Sequence, residues 1–154
     1  MTRGQIAIIT GENELHTSIE FNGDMYMPTK KWAGHGRQVI NLLKKVKDVA
    51  DYQYIVAKFN CDHHHYCGCE RLTWRRKGEE GKAMFNFFKN YYDNWFSDYV
   101  YLKNISKKEV TIIQNNYDEN GGNDKPEEVK IPNNAIVVLC FGKVKKIIEE
   151  KEEK

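Results

Sequence analysis

From Ala135 to Phe141 the chain reads Ala-Ile-Val-Val-Leu-Cys-Phe, a seven-residue stretch without a charged side chain. It falls far short of the roughly 18 to 20 apolar residues that a membrane helix needs. Its β-branched content and brevity predict a strand. A strand that is apolar on both faces belongs inside a sheet covered from both sides. The chain is therefore expected to fold in layers around this segment.

The rest of the chain is read against that strand. Gln5 to Thr10 is apolar and β-branched, Gly11 to Glu14 reads as a turn, and Leu15 to Phe21 alternates Leu15/Thr17/Ile19/Phe21 against His16/Ser18/Glu20. This pattern predicts an N-terminal β-hairpin with one dry face. Asn22-Gly23 favours a two-residue turn, so Asp24 to Met27 is expected to return as a third strand, making a meander. In Gly36 to Lys47 the residues Val39, Leu42, Leu43 and Val46 recur at helical spacing. Asp48 is placed to cap a second helix with the stripe Val49, Tyr52, Ile55, Val56 and Phe59. Met84, Phe85, Phe88, Tyr91 and Tyr92 predict a third helix from Glu79 to about Asp93, with Phe87 and Tyr91 as its exposed aromatics. Beyond it, Tyr99–Ile105, Glu109–Gln114, Glu127–Ile131 and Ala135–Phe141 predict four strands.

The expected fold class is thus α+β: an N-terminal β-hairpin or meander, three helices, and a C-terminal antiparallel sheet of about four strands. With 154 residues, one domain over residues 1–142 is expected. Residues 143–154 are read as a charged tail, a frayed helix. The four cysteines and the absence of a signal-like apolar core at the N-terminus suit a cytoplasmic protein with free thiols.

Charge narrows the partners. Lys and Arg number 24 against 22 Asp and Glu, a net charge of +2, so no general field draws the protein to nucleic acid or to a membrane surface. The expected partner is a host protein or a small anionic ligand. Leu72-Thr-Trp74-Arg75-Arg76-Lys77 couples an aromatic to three cations, a combination that can bind nucleic acid, but Glu79 and Glu80 follow at once and the expected reading is a solvated basic turn, with neither nucleic acid nor a membrane as partner.

The densest chemistry lies between Cys61 and Cys69. Cys61, His63, His65, Cys67 and Cys69, with His64 among them, are thiolate and imidazole donors of the kind zinc prefers. Their spacing is not that of a standard finger, and His35 or Cys140 is needed to complete some arrangements. The cofactor expectation is accordingly none, or zinc on this loop. A second candidate is a ligand site where Asp24, Tyr26, His35 and Arg37 meet. There Gly34 and Gly36 allow a close approach to the N–H groups opening the first helix. No catalytic set stands out. A hydrolase reading would rest on metal held by the Cys/His loop, or on Thr2 as an N-terminal nucleophile after loss of Met1.

Thr2-Arg3-Gly4 before an apolar strand, then Asp24-x-Tyr26-x-Pro28, then Gly34-x-Gly36 leading into an amphipathic helix, resembles a group of small bacteriophage and prophage proteins. These begin Thr-Arg-Gly or Thr-Arg-Ser and carry Trp-Asp-x-Tyr-Pro before a glycine pair and a helix. The resemblance covers the first 45 or so residues; here Gly23 stands in place of the Trp and Met27 precedes Pro28. It implies a phage-type accessory protein that inhibits or sequesters a host or defence component.

Overall fold

A computed structural model describes residues 2–31, 33–63, 71–78, 84–87, 98–118, 120 and 123–149. At its centre β1 (Arg3–Ile9) lies parallel to β6 (Tyr99–Asn104), with Ile6 opposite Tyr101 and Ile8 opposite Lys103. Parallel strands require a crossover connection, and the chain between these two contains α1 (Gly36–Leu43) and α2 (Val49–His63). Along the other edge of β1 run β2 (Glu14–Ser18) and the short β3 (Phe21–Asn22), both antiparallel to it. β4 (Thr73–Lys77) pairs with β2, while β9 (Ile136–Cys140) pairs with β6 and β10 (Lys143–Ile148) with β9. The sheet order is β10-β9-β6-β1-β2-β4, with β3 beside β1. A second sheet holds β5 (Met84–Asn86), β7 (Val110–Asn115) and β8 (Pro126–Ile131) in the order β5-β7-β8.

Alternation along the central strands explains the layering. Ile6, Ile8, Tyr101, Ile136 and Val138 point to one face and pack with Val39, Leu43, Tyr52, Val56 and Phe59 of the helices. Ala7, Val100, Leu102, Val137 and Leu139 point to the opposite face and pack with Phe85, Val110, Ile112 and Ile131 of the small sheet. Helices, large sheet and small sheet therefore form three layers with two apolar cores. Ala135–Leu139 is fully enclosed between them, as its two-sided apolar sequence requires. Each large apolar side chain so buried contributes about 1.5–3 kcal/mol.

The helix ends are satisfied by specific groups. The Asp48 carboxylate accepts the Asp51 N–H at 2.8 Å, and the Asp51 carboxylate accepts the Lys47 N–H at 3.0 Å, a reciprocal cap at the start of α2. At the other end of α1, the buried Lys103 Nζ donates to the carbonyls of Leu43, Lys44 and Val46 at 2.9, 3.2 and 2.8 Å. An ammonium at a helix C-terminus meets both the orphan carbonyls and the negative dipole end.

The structure corrects the expected fold class. The third helix is overturned where it can be followed: residues 84–86 form strand β5, and the rest of that prediction lies largely outside the described residues. Phe85 in β5 and Phe87 just after it are both buried, so Phe87 is core and not an exposed aromatic; Tyr91 is outside the described residues. The four-strand C-terminal sheet does not exist as a unit. Its strands are divided, β6 and β9 joining the N-terminal strands and β7 and β8 forming the small sheet with β5. Segment 143–148 is strand β10, not a frayed helix, with a register shift between Val144 and Lys146. Asp24 to Met27 is not a strand; Phe21–Asn22 takes that place beside β1. Among the described residues there are two helices and ten strands.

Candidate functional site

The hairpin and the α1 entry are joined as their glycines suggest. The Asp24 carbonyl accepts the His35 N–H at 2.7 Å, and the Tyr26 carbonyl accepts the Gly36 N–H at 3.1 Å. These main-chain bonds bring Asp24, Tyr26 and His35 together but use the donors meant for a ligand. The His35 ring turns toward α2, with its centroid 4.0 Å from that of His63 and 5.9 Å from that of Phe59. Arg37 instead lines a shallow groove of about 550 Å³ with Pro28, Gly34, Asn41 and Lys45. Asp24, Tyr26 and His35 do not line it, so the four residues do not share one concavity.

The metal set is placed only in part. Cys61 is an exposed free thiol on α2, and His63 packs inward, its Nε2 2.8 Å from Gln38 Oε1. Residues two apart on a helix do not face each other, so Cys61 and His63 diverge while α2 runs to His63. His65, Cys67 and Cys69 lie outside the described residues. Among the described residues no three His, Cys, Asp or Glu side chains are grouped to hold a metal. The carbonyl of Thr2 accepts N–H groups of Gly23 and Met25.

A larger cleft lies elsewhere. Thr10 and Ile105 follow the C-terminal ends of the parallel pair β1 and β6. With the 11–13 turn, the 47–49 junction and the 106–110 loop they enclose about 880 Å³. One wall carries ionisable side chains. Glu14 and His16 project from β2, and Arg75 of β4 is the register partner of His16. Glu14 Oε2 lies 3.7 Å from His16 Nε2 and 3.6 Å from Arg75 Nη1. Glu14 and His16 are buried, whereas the Arg75 side chain is 69% exposed and reaches the opening. The His16 ring meets Tyr52 edge-on, and the Tyr52 hydroxyl is held by the Ile6 carbonyl at 2.6 Å.

The rim carries Lys47, Lys107 and Lys108 against Glu12 and Glu109. Among the described residues none of these three lysines has a carboxylate within ion-pair distance. Asp48 is committed to its cap and Glu14 to Arg75 and His16. The formal charges lining the cleft balance, Lys47, Arg75, Lys107 and Lys108 against Glu12, Glu14, Asp48 and Glu109, and the three lysines place positive charge at the rim.

Burial lowers the His16 pKa from 6.5; the Glu14 carboxylate opposes this and Arg75 adds to it. The folded protein thus resists protonation that the unfolded chain accepts. The stability that this neutral imidazole contributes is fully present above pH 6.5 and is lost as pH falls toward the depressed folded value. Melting temperatures measured from pH 7.5 to 5 are expected to fall more steeply for the wild type than for His16→Asn. Parallel curves would show that His16 titrates normally.

Glu14 and His16 were not expected as site residues, and Arg75 was expected only as part of the basic segment Leu72–Lys77. The alternation His16/Ser18/Glu20 reads as the wet face of the hairpin, and Glu14 as the end of its turn. In the structure Glu14, His16 and Ser18 are buried, and the fully buried Ser18 hydroxyl accepts the Ile6 N–H at 2.8 Å. The segment read as a basic turn, Thr73 to Lys77, is edge strand β4. No protein-family model, curated protein or solved structure matches this chain. Among the described residues no helix is long and apolar enough to cross a membrane.

Proposed function

We propose that the protein is a cytoplasmic binding module that holds a small anionic ligand in the cleft between Arg75, His16 and the lysine rim. It would act as an accessory protein that sequesters this ligand, in keeping with the phage-type character implied by its first 45 residues. The observation that carries the reading is the Glu14–His16–Arg75 cluster at the C-terminal ends of the parallel strands β1 and β6. Crevices at such strand ends are where layered α/β sheets place their ligands. A volume near 880 Å³ suits a small molecule. Glu14 holds the Arg75 guanidinium and the His16 ring in place, and an incoming oxyanion completes the donors that Glu14 leaves open.

The test is a titration of tag-free, full-length protein with inorganic phosphate, pyrophosphate, adenosine monophosphate and citrate, followed by calorimetry and thermal melting. At least one anion is expected to raise the melting temperature in a concentration-dependent way, since a ligand at a hundred times its Kd adds about 2.7 kcal/mol. Arg75→Ala is expected to weaken that binding about tenfold or more, the loss of one charge-assisted contact. If no anion in the panel shifts the melt or gives heat, the cleft is not an anion site and a host-protein partner becomes the better reading.

A further inference from the structure

The groove that Arg37 lines is a second feature, separate from the cleft at the ends of β1 and β6. We propose that it docks an extended, acidic segment of a partner protein, with Arg37 and Lys45 each meeting a carboxylate and the groove between them taking an apolar side chain. The α1 sequence makes this face. Val39, Ile40, Leu42 and Leu43 turn to the core, which leaves Arg37, Asn41 and Lys44 outside at spacings of three and four residues. Pro28, Ala33 and Gly34 form the second wall, tied to the helix entry by the Tyr26 carbonyl, which accepts the Gly36 N–H at 3.1 Å.

The charge on this face is available. From Lys30 to Lys47 the chain carries Lys30, Lys31, Arg37, Lys44, Lys45 and Lys47 and no acid. Lys47 lines the other cleft, and the remaining five are exposed. Among the described residues none of these five side chains has an ion-pair or hydrogen-bond partner. No described carboxylate lines the groove. The Asp62 carboxylate, which reaches the Gln38 amide at 3.5 Å, is paired with Lys58 at 3.4 Å, and those of Asp48 and Asp51 close the cap of α2.

Charge and shape together select the occupant. The apolar members of the groove, Pro28, Ala33 and Leu42, are recessed, Leu42 being only 8% exposed, while the cations Arg37 and Lys45 stand at its two ends. A membrane surface asks for the reverse, apolar side chains that project past the cations. Single-stranded nucleic acid asks for an aromatic platform, and no described aromatic lines the groove. A peptide meets both demands. At 1.5 Å per residue Arg37 and Lys45 stand about 12 Å apart along the helix axis. In an extended segment two carboxylates four residues apart span about 13 Å and share a face with the residue midway between them. The matching pattern is acid-x-apolar-x-acid.

The experiment is NMR of isotope-labelled full-length protein titrated at low salt with a peptide containing Glu-Ser-Leu-Ser-Glu. Saturable shifts are expected at the Gly34, Asn41 and Lys45 amides, with those of Thr10 and Ser106 in the other cleft unmoved. Added salt should raise the midpoint, because the paired charges are exposed. The double substitution Arg37→Glu, Lys45→Glu is expected to weaken binding about tenfold or more, the loss of two ion pairs and the gain of two repulsions. Asn41→Asp, which sets an acid between the two cations on the exposed face, should weaken it in the same direction, as should glutamine for both glutamates in the peptide. Circular dichroism and melting establish that the variants remain folded, and their phosphate binding in the other cleft should match the wild type. No saturable shift with the acidic peptide, equal binding of its glutamine form, or unchanged binding by the folded variants would overturn the proposal. So would stronger shifts at the same amides with oligothymidine or phosphatidylserine vesicles.

Discussion

Lys103→Met is expected to lose about 3–5 kcal/mol of stability, the range for breaking a buried charged interaction while its partners stay in place. The reason lies in the partners. The Lys103 ammonium serves three backbone carbonyls, those of Leu43, Lys44 and Val46, which close the C-terminal end of α1. Lys103 itself is 1% exposed. Replacing both members of a buried polar pair by apolar groups is often harmless, but carbonyls cannot be replaced; that of Leu43 keeps the Val46 N–H at 3.0 Å, and each one left without a donor costs about 1–3 kcal/mol. Methionine preserves most of the volume, so cavity formation adds little. For a chain of this size the loss corresponds to roughly 10 °C in melting temperature. A loss under about 1 kcal/mol in urea titrations would mean that water replaces the ammonium and that the helix end is not closed as described.

Gly34→Ala is expected to be the most damaging single methyl in the N-terminal half. Gly34 has φ +56, a conformation that alanine adopts only with strain, and a Cβ there would press on the Tyr26 carbonyl and on the Tyr26 ring 2.8 Å away. Strain at such a position costs about 1–3 kcal/mol, and displacing a backbone carbonyl adds a comparable overpacking penalty. The same carbonyl accepts the Gly36 N–H that opens α1. Moving it disturbs the helix entry as well as the hairpin. Chemical denaturation should show a loss of about 2–5 kcal/mol. A variant as stable as the wild type would contradict the close approach of segments 24–26 and 34–36.

Features set by near neighbours in the chain were legible in the sequence. The α1 residues Val39, Leu42 and Leu43 and the α2 residues Tyr52, Ile55, Val56 and Phe59 are buried as their spacing predicts. Asp48 caps α2, because its carboxylate needs only a donor three residues ahead. Ala135–Phe141 announced a covered strand by being apolar on both faces, and Ala135–Leu139 is enclosed in that way, whereas Phe141 follows the strand and is exposed. Strand pairing was not legible, because nothing in Tyr99–Asn104 states that its neighbour is Arg3–Ile9, nearly a hundred residues earlier. The aromatic run from Phe85 was ambiguous because its residues satisfy both helical and alternating periods.

The candidate site was hidden for the same reason. Glu14, His16 and Ser18 alternate as a solvent face would, and only long-range packing of Tyr52 and the pairing of β2 with β4 bury them. Arg75 reads as part of a basic turn until that pairing sets it opposite His16. The Asp24, Tyr26, His35 and Arg37 group was half legible. Its glycines do zip two segments together, but the zipper consumes the N–H groups it was expected to offer, and Arg37 faces a different groove.

The claim that the cleft at the ends of β1 and β6 holds a small anion is tested most directly at His16. Its ring resonances can be followed by NMR while the wild type and Arg75→Ala are titrated with phosphate and pyrophosphate. The account predicts that the His16 signals move saturably in the wild type, that His16 takes up a proton more readily when the anion is bound, and that Arg75→Ala shifts the midpoint about tenfold or more. The His35 and His63 signals should stay in place. Saturable changes at His35 and His63 with His16 unmoved, or no saturable change at any histidine, would contradict it.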